Sequence, residues 1–81
     1  YVDIDVDVCD RSVAPACPAA TPGGLSADEL RQIAFECGKN AQVRAVDITE
    51  IDATLDSPDQ RTIRLAALLV LEIATGLSLR Q

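Results

Sequence analysis

Tyr1-Val2-Asp3-Ile4-Asp5-Val6-Asp7-Val8-Cys9-Asp10 opens the chain, with aspartates alternating with valines and an isoleucine. A β-strand sends successive side chains to opposite faces. A strand over residues 1–8 therefore puts Val2, Ile4, Val6 and Val8 on the core face and Asp3, Asp5 and Asp7 together on the other. Carboxylates stacked along one strand repel one another, and burying them unpaired costs several kcal/mol each. The run predicts a positive partner beside them, and a divalent cation is the simplest.

Composition narrows what that cation can be. The 81 residues include 13 acidic and 7 basic side chains, no His, and only Tyr1 and Phe35 as aromatics. Without His, the usual neutral-pH base and the commonest transition-metal ligand are both missing. A site built from oxygen suits Mg²⁺ or Mn²⁺ better than Zn²⁺. A net charge of −6 with no basic patch argues against nucleic acid or an anionic membrane as partner. Cys9, Cys17 and Cys37 form no C-x-x-C pair, and read as reduced, partly buried thiols of a cytoplasmic protein. The apolar run of residues 65–71 is far shorter than the roughly 20 residues of a membrane span.

Around the opening run the pattern is strand, loop, helix, strand, loop, helix. Pro15, Pro18, Pro22, Gly23 and Gly24 punctuate a loop over residues 9–25. Ser26 and Glu29 form a capping box, with Leu25 and Leu30 at the spacing of a hydrophobic staple. Leu30, Ile33, Ala34 and Cys37 then make one apolar stripe, and Gly38 is expected to end the helix. Residues 43–51 are rich in β-branched side chains and predict a second strand, parallel to the first with a right-handed helical crossover. Ser57-Pro58-Asp59-Gln60 repeats a helix-start signal for a helix over residues 58–75. Ile63, Ala66, Ala67, Val70, Leu71 and Ala74 share one face, and Leu65, Leu68, Leu69 and Ile73 widen the apolar stripe. A helix so apolar expects cover on several sides. Because the chain also opens directly inside a strand pattern, it is expected to be the C-terminal part of something larger.

In a parallel α/β sheet, ligands bind beyond the carboxyl ends of the strands. Asp5, Asp7 and Asp10 lie toward that end of the first strand and Glu50 at that end of the second, so neighbouring strands would gather four carboxylates on one rim. The plainer alternative makes Asp10 a turn cap and Glu50 a solvated strand end. An EF-hand loop is excluded, because counting from Asp3 puts Val8 and Ala14 where Gly and Glu belong. Asp5-Val6-Asp7-Val8 also fits the D-x-D-x-[TV] of phosphotransferases of the haloacid dehalogenase type, over about eight residues.

A wider pattern covers nearly the whole chain. Asp5-Val6-Asp7-Val8-Cys9-Asp10, Ser12, Pro15-Ala16, Gly23-Gly24-Leu25-Ser26 and Asp47-Ile48-Thr49-Glu50 resemble the C-terminal segment of the ureohydrolase family of arginases, agmatinases and formimidoylglutamases. The resemblance implies a three-layer α/β/α parallel-sheet fold, with residues 1–81 forming the C-terminal part of a single domain. It implies a hydrolase with two Mn²⁺ ions per site, in which metal-activated water attacks the carbon of a small amidine or guanidino substrate. Asp5 matches the family's metal-bridging aspartate and Asp7 a ligand of one metal. Glu50 matches the carboxylate that holds the cationic end of the substrate, and Asp10 a loop support. The remaining ligands, His and Asp residues of upstream motifs, are absent from these 81 residues, so the segment alone is expected to be inactive. Family members assemble as trimers or hexamers, with the C-terminal helix a candidate contact.

Two departures stand out. Asp3 occupies a position where Ser or Thr is usual, which implies at most a supporting role behind the ligands. Pro18 and Ala19 replace the Gly and Thr common in arginases and agmatinases, and with Cys9-Asp10-Arg11 they resemble formimidoylglutamases more closely. That subclass, acting in histidine breakdown, cleaves formimidoylglutamate to glutamate and formamide. The alternatives are an agmatinase or arginase releasing urea, the phosphotransferase, or a non-catalytic module.

Overall fold

A computed structural model describes residues 1–80. Strand β1 (Val2–Asp5) runs into a single 3₁₀ turn over Val6–Val8, followed by a long loop. Helix α1 (Ala27–Lys39), strand β2 (Val46–Thr49), a second 3₁₀ turn (Ala53–Leu55) and helix α2 (Arg61–Ser78) complete the order. The two strands pair in parallel, Val2 opposite Val46, Asp3 opposite Asp47, Ile4 opposite Ile48 and Asp5 opposite Thr49. The α/β class and the parallel pair are as the sequence predicts.

The first strand is shorter than its alternating pattern suggests. Asp5 accepts a hydrogen bond from the Asp7 backbone N–H at 3.2 Å, a local side-chain bond that competes with strand pairing. The chain therefore turns at Val6, and Asp7 sits on the turn instead of sharing the strand face of Asp3 and Asp5. The apolar face is as expected up to that point: Ile4 and Val6 are buried, while Val8 is exposed.

The loop of residues 9–25 is closed and packed. Leu25 N–H donates to Val8 O at 2.8 Å and Asp10 N–H to Leu25 O at 2.9 Å. A side chain at Gly24 would collide with this closure, its Cβ lying 2.5 Å from the Cys9 carbonyl carbon. Ala14, Ala16, Cys17 and Ala20 are buried within the loop. Small side chains let so much irregular backbone turn inward.

Helix α1 starts as predicted, with both arms of the Ser26–Glu29 capping box formed at 3.0 and 3.1 Å. It does not stop at Gly38, and its inward stripe is Leu30, Ala34 and Gly38. Ile33 and Cys37 instead line an open groove with Leu25 and Val43. Gly38 is a packing residue: an added Cβ would lie 2.1 Å from Ile73 O, and one on Gly76 2.2 Å from Phe35 O. The two glycines let α1 and α2 cross with their backbones in near contact. The Arg31–Glu72 ion pair, at 2.9 Å, also joins the two helices.

Helix α2 departs further from expectation. Ser57-Pro58-Asp59-Gln60 forms a turn before the helix, with Gln60 N–H bonded to Ser57 O at 2.8 Å and Gln60 in the left-handed region at φ 57°. Capping falls to Asp56, which accepts from Ile63 N–H at 3.0 Å and Thr62 N–H at 3.3 Å. The buried face is Thr62, Leu65, Leu69 and Gly76, not the Ile63–Ala67–Val70–Ala74 side. Ile63, Val70 and Leu71 are exposed. Periodicity shows that a stripe exists, but on a helix apolar nearly all round it does not say which side meets the first helix. Strand β2, likewise, spans only Val46–Thr49 of the predicted residues 43–51.

The core joins Ile4, Val6, Cys9, Leu30, Ala34, Leu65 and Leu69, so both helices pack over the apolar side of the sheet. Each large aliphatic side chain buried there contributes about 1.5–3 kcal/mol.

Candidate metal and substrate site

The carboxyl ends of β1 and β2 lie side by side, which fixes where the acidic residues gather. Asp5 is the last residue of β1, Asp7 lies on the turn that follows, and Glu50 directly follows β2. The Asp7 carboxyl titrates above its ordinary value, first because it hydrogen-bonds the Asp5 carboxylate, then through desolvation and the charges of Asp5 and Glu50. Three acidic groups thus feel one another on a single rim. The ion pairs of the described residues, Arg31–Glu72 and Arg61–Asp59, are both elsewhere.

Glu50 carries a backbone φ of 71°. A non-glycine residue in the left-handed region is uncommon, and such strain concentrates at functional positions. The kink takes the chain off the strand at the rim, and Glu50 is exposed there. Two residues on, Asp52 N–H donates to Ala16 O at 2.9 Å, tying the strand exit to the buried loop.

Cys17 belongs to the same rim, although its sequence position suggests only a small buried residue. Its thiol is pushed up to about 11, chiefly by burial and then by the charges of Asp7, Cys9, Asp5 and Glu50. The neighbouring Pro18 and Ala19 are exposed.

Asp10 and Asp3 stand apart from this group. The Asp10 carboxylate accepts from Gly23 N–H at 2.6 Å, from Ser12 N–H at 3.0 Å and from the Ser12 hydroxyl. These bonds staple the two ends of the loop and hold the Asp10 carboxyl below its usual value. Asp3 faces Asp47 across the strands and accepts from the Thr49 hydroxyl at 2.9 Å. Its carboxyl is raised chiefly by the hydrogen bond to Asp47, which the Tyr1 hydroxyl in turn holds low.

As a metal site the rim is partial. Asp5 and Asp7 offer adjacent hard oxygen donors whose mutual repulsion a cation would relieve, which fits Mn²⁺ or Mg²⁺. Among the described residues, no group of three or more His, Cys, Asp or Glu side chains is arranged to hold a metal ion. Two ligands leave a coordination shell incomplete.

Fold and rim define an α/β protein with an acidic cluster where parallel sheets bind their ligands. The sequence model of the arginase family matches residues 1–76, and the chain belongs to that family. A formimidoylglutamase of Halalkalibacterium halodurans is 43% identical over 76 residues, covering 94% of this chain and 24% of that protein. Arginase 1, mitochondrial, of Arabidopsis thaliana is 36% identical over 78 residues, covering 96% and 22%. The crystal structure of formimidoylglutamase from Bacillus subtilis superposes with a TM-score of 0.88 at 40% identity, over 96% of this chain and 24% of that one. A formiminoglutamase of Trypanosoma cruzi solved with Mn²⁺ gives 0.86 at 30% identity, over 99% and 26%. The chain spans about a quarter of the length of the relatives it matches. Membership over residues 1–76 displaces the phosphotransferase reading, which rested on about eight residues. No helix among the described residues is long and apolar enough to cross a membrane.

Proposed function

We propose that the complete protein carrying this segment is a manganese-dependent hydrolase that cleaves formimidoylglutamate to glutamate and formamide. The observation that carries the proposal is the gathering of Asp5, Asp7 and Glu50 at the adjoining carboxyl ends of two parallel strands. Asp5 and Asp7 would hold manganese, two ions per site, completed by residues outside this segment. Bound manganese would supply an acidified water as nucleophile. Glu50 would orient the substrate, because a carboxylate pairs with the planar N–H fork of an amidinium ion. Cys17 and the packed loop would keep that side of the site dry.

The segment forms the C-terminal part of a single domain and is inactive alone. The exposed side of α2, with Ile63, Val70, Leu71 and Leu77, would meet the remainder of the protein or a neighbouring subunit in a trimer or hexamer. Three free cysteines, two of them buried, suit the reducing cytoplasm. A second reading, an arginase or agmatinase releasing urea, is favoured by the Arabidopsis relative.

Formamide release from formimidoylglutamate, assayed on the complete Mn²⁺-loaded protein beside urea release from arginine and agmatine, separates these readings. Formamide that disappears in Asp5→Ala and Asp7→Ala supports the proposal. Urea would keep the chemistry and overturn the substrate, and turnover that survives both substitutions would overturn the site.

A further inference from the structure

Thr62 is the one polar side chain in the buried core of the described residues. It lies in the first turn of α2, on a stripe otherwise made of Leu65, Leu69 and Gly76. A buried hydroxyl is costly unless it is hydrogen-bonded. The Thr62 hydroxyl accepts from Ala16 N–H at 3.1 Å, and the Thr62 backbone N–H donates to the Asp56 carboxylate at 3.3 Å, whose carboxyl is held low by its partners at the start of α2. The carbonyl of the same Ala16 accepts from Asp52 N–H at 2.9 Å.

One residue, Ala16, is therefore gripped from both sides, by α2 through its N–H and by the exit of β2 through its C=O. On one side of that residue is the fully buried Cys17. On the other is the segment that begins at Glu50, held at φ 71°. A strained conformation persists only where its surroundings over-determine it, and the Ala16–Asp52 bond lies two residues from the strain. We infer that Thr62 is a positioning residue for Glu50, acting through Ala16 and Asp52 to set where the substrate's cationic end is held. The inference rests on the proposed substrate role of Glu50. It adds that the grip on the substrate is anchored by the start of α2.

The test compares Thr62→Val, which keeps the volume and removes the hydroxyl, with Thr62→Ser, which keeps the hydroxyl, in the complete Mn²⁺-loaded protein. Loss of one hydrogen bond in the relay is expected to raise KM for formimidoylglutamate up to about 10-fold in Thr62→Val. kcat is expected to change less than KM, and Thr62→Ser to stay within about 2-fold of the unmodified protein. Amide hydrogen exchange supplies a readout independent of turnover: Ala16 and Asp52 should exchange faster in Thr62→Val while α1 amides keep their protection. Thr62→Ala takes the place of Thr62→Val should the latter not fold. An active unmodified protein whose folded Thr62→Val form keeps its KM overturns the assignment alone. So does a Thr62→Ser form as impaired as Thr62→Val, since the methyl would then be what matters. An unmodified protein that turns over none of the three substrates overturns the proposed function and takes the assignment with it.

Discussion

Adding a single methyl group at Gly38 measures how closely the two helices cross. The new Cβ would stand 2.1 Å from Ile73 O, 2.8 Å from its carbonyl carbon and 2.9 Å from its Cα. All three atoms are backbone, so no rotamer change can clear the way. Ordinary contact begins near 3.4 Å, and the helices would have to part by more than an ångström. Helix propensity acts in the opposite direction, since Ala is favoured over Gly by about 1 kcal/mol in a helix interior. Overpacking a well-filled interior costs about 1–3 kcal/mol, and a clash confined to backbone belongs at or beyond the upper end. Parting the helices also loosens Ala34, Leu65 and Leu69, which are buried in the same core. The net expectation for Gly38→Ala is a loss of about 2 kcal/mol or more, read as a lower midpoint of denaturant or thermal unfolding of the complete protein. Gly76→Ala meets Phe35 O at 2.2 Å across the same crossing. Once one methyl has parted the helices the second has room, so the double variant should lose less than the sum of the two. A Gly38→Ala protein as stable as the parent, or more so, would show that propensity wins and would refute the close crossing.

Three further expectations follow from the rim and from α2. Glu50→Gln keeps shape and removes charge, so KM for an amidine substrate should rise by roughly 10- to 100-fold; because Glu50 is exposed, the unfolding midpoint should stay unchanged, and an unaltered KM would remove it from the site. Cys9 and Cys17 are buried with raised thiols, and Cys37 is only half buried; iodoacetamide at mildly alkaline pH should therefore modify Cys37 first in the folded protein, as mapped by peptide mass spectrometry, and prior labelling of Cys17 would contradict its burial. Asp56 and Asp59 are both held below the usual 3.8, Asp59 to about 2, by hydrogen bonds at the start of α2. A depressed carboxyl contributes stability that is complete above its unfolded pKa and is lost as pH falls through its folded one. First-turn amides of α2 should thus lose exchange protection between about pH 4 and pH 2, before those of α1; equal loss in both helices would contradict the assignment.

What the sequence makes legible is local, and what it hides depends on contacts between elements. The capping box at Ser26 is readable because all its parts lie within four residues, and it forms as written. The parallel pair is readable because two β-branched runs flank a helix, which leaves little choice of connection. Gly38 misleads because a glycine near a helix end has two uses, as a terminator or as a point of close approach. Only the position of Ile73 decides between them. Ser57-Pro58 misleads similarly: it carries the signature of a helix start, but Asp56 takes the first-turn amides and the helix begins three residues later. The buried side of α2 could have been found from one signal that aliphatic periodicity passes over. Thr62 sits i, i+3 and i+7 with Leu65 and Leu69, and a lone hydroxyl on an aliphatic stripe marks a place where something must be hydrogen-bonded.

The rim shows the same division in its chemistry. Alternation put Asp3, Asp5 and Asp7 on one face, and had the strand continued they would have formed a ladder along the sheet. Instead the Asp5 side chain bonds the Asp7 backbone, ends the strand and brings Asp7 round toward it. The residue that would hold a metal is thus also the residue that shapes the turn presenting the second ligand. Asp3, left behind on the strand, turns to Asp47 and Thr49. A single turn divides this run of like charges into a pair open to a cation and a pair that shares its hydrogen bonds across the sheet. The opening repeat of alternating aspartates therefore carries two different solutions to the same repulsion, and only the one at the strand's carboxyl end lies where a ligand can reach it.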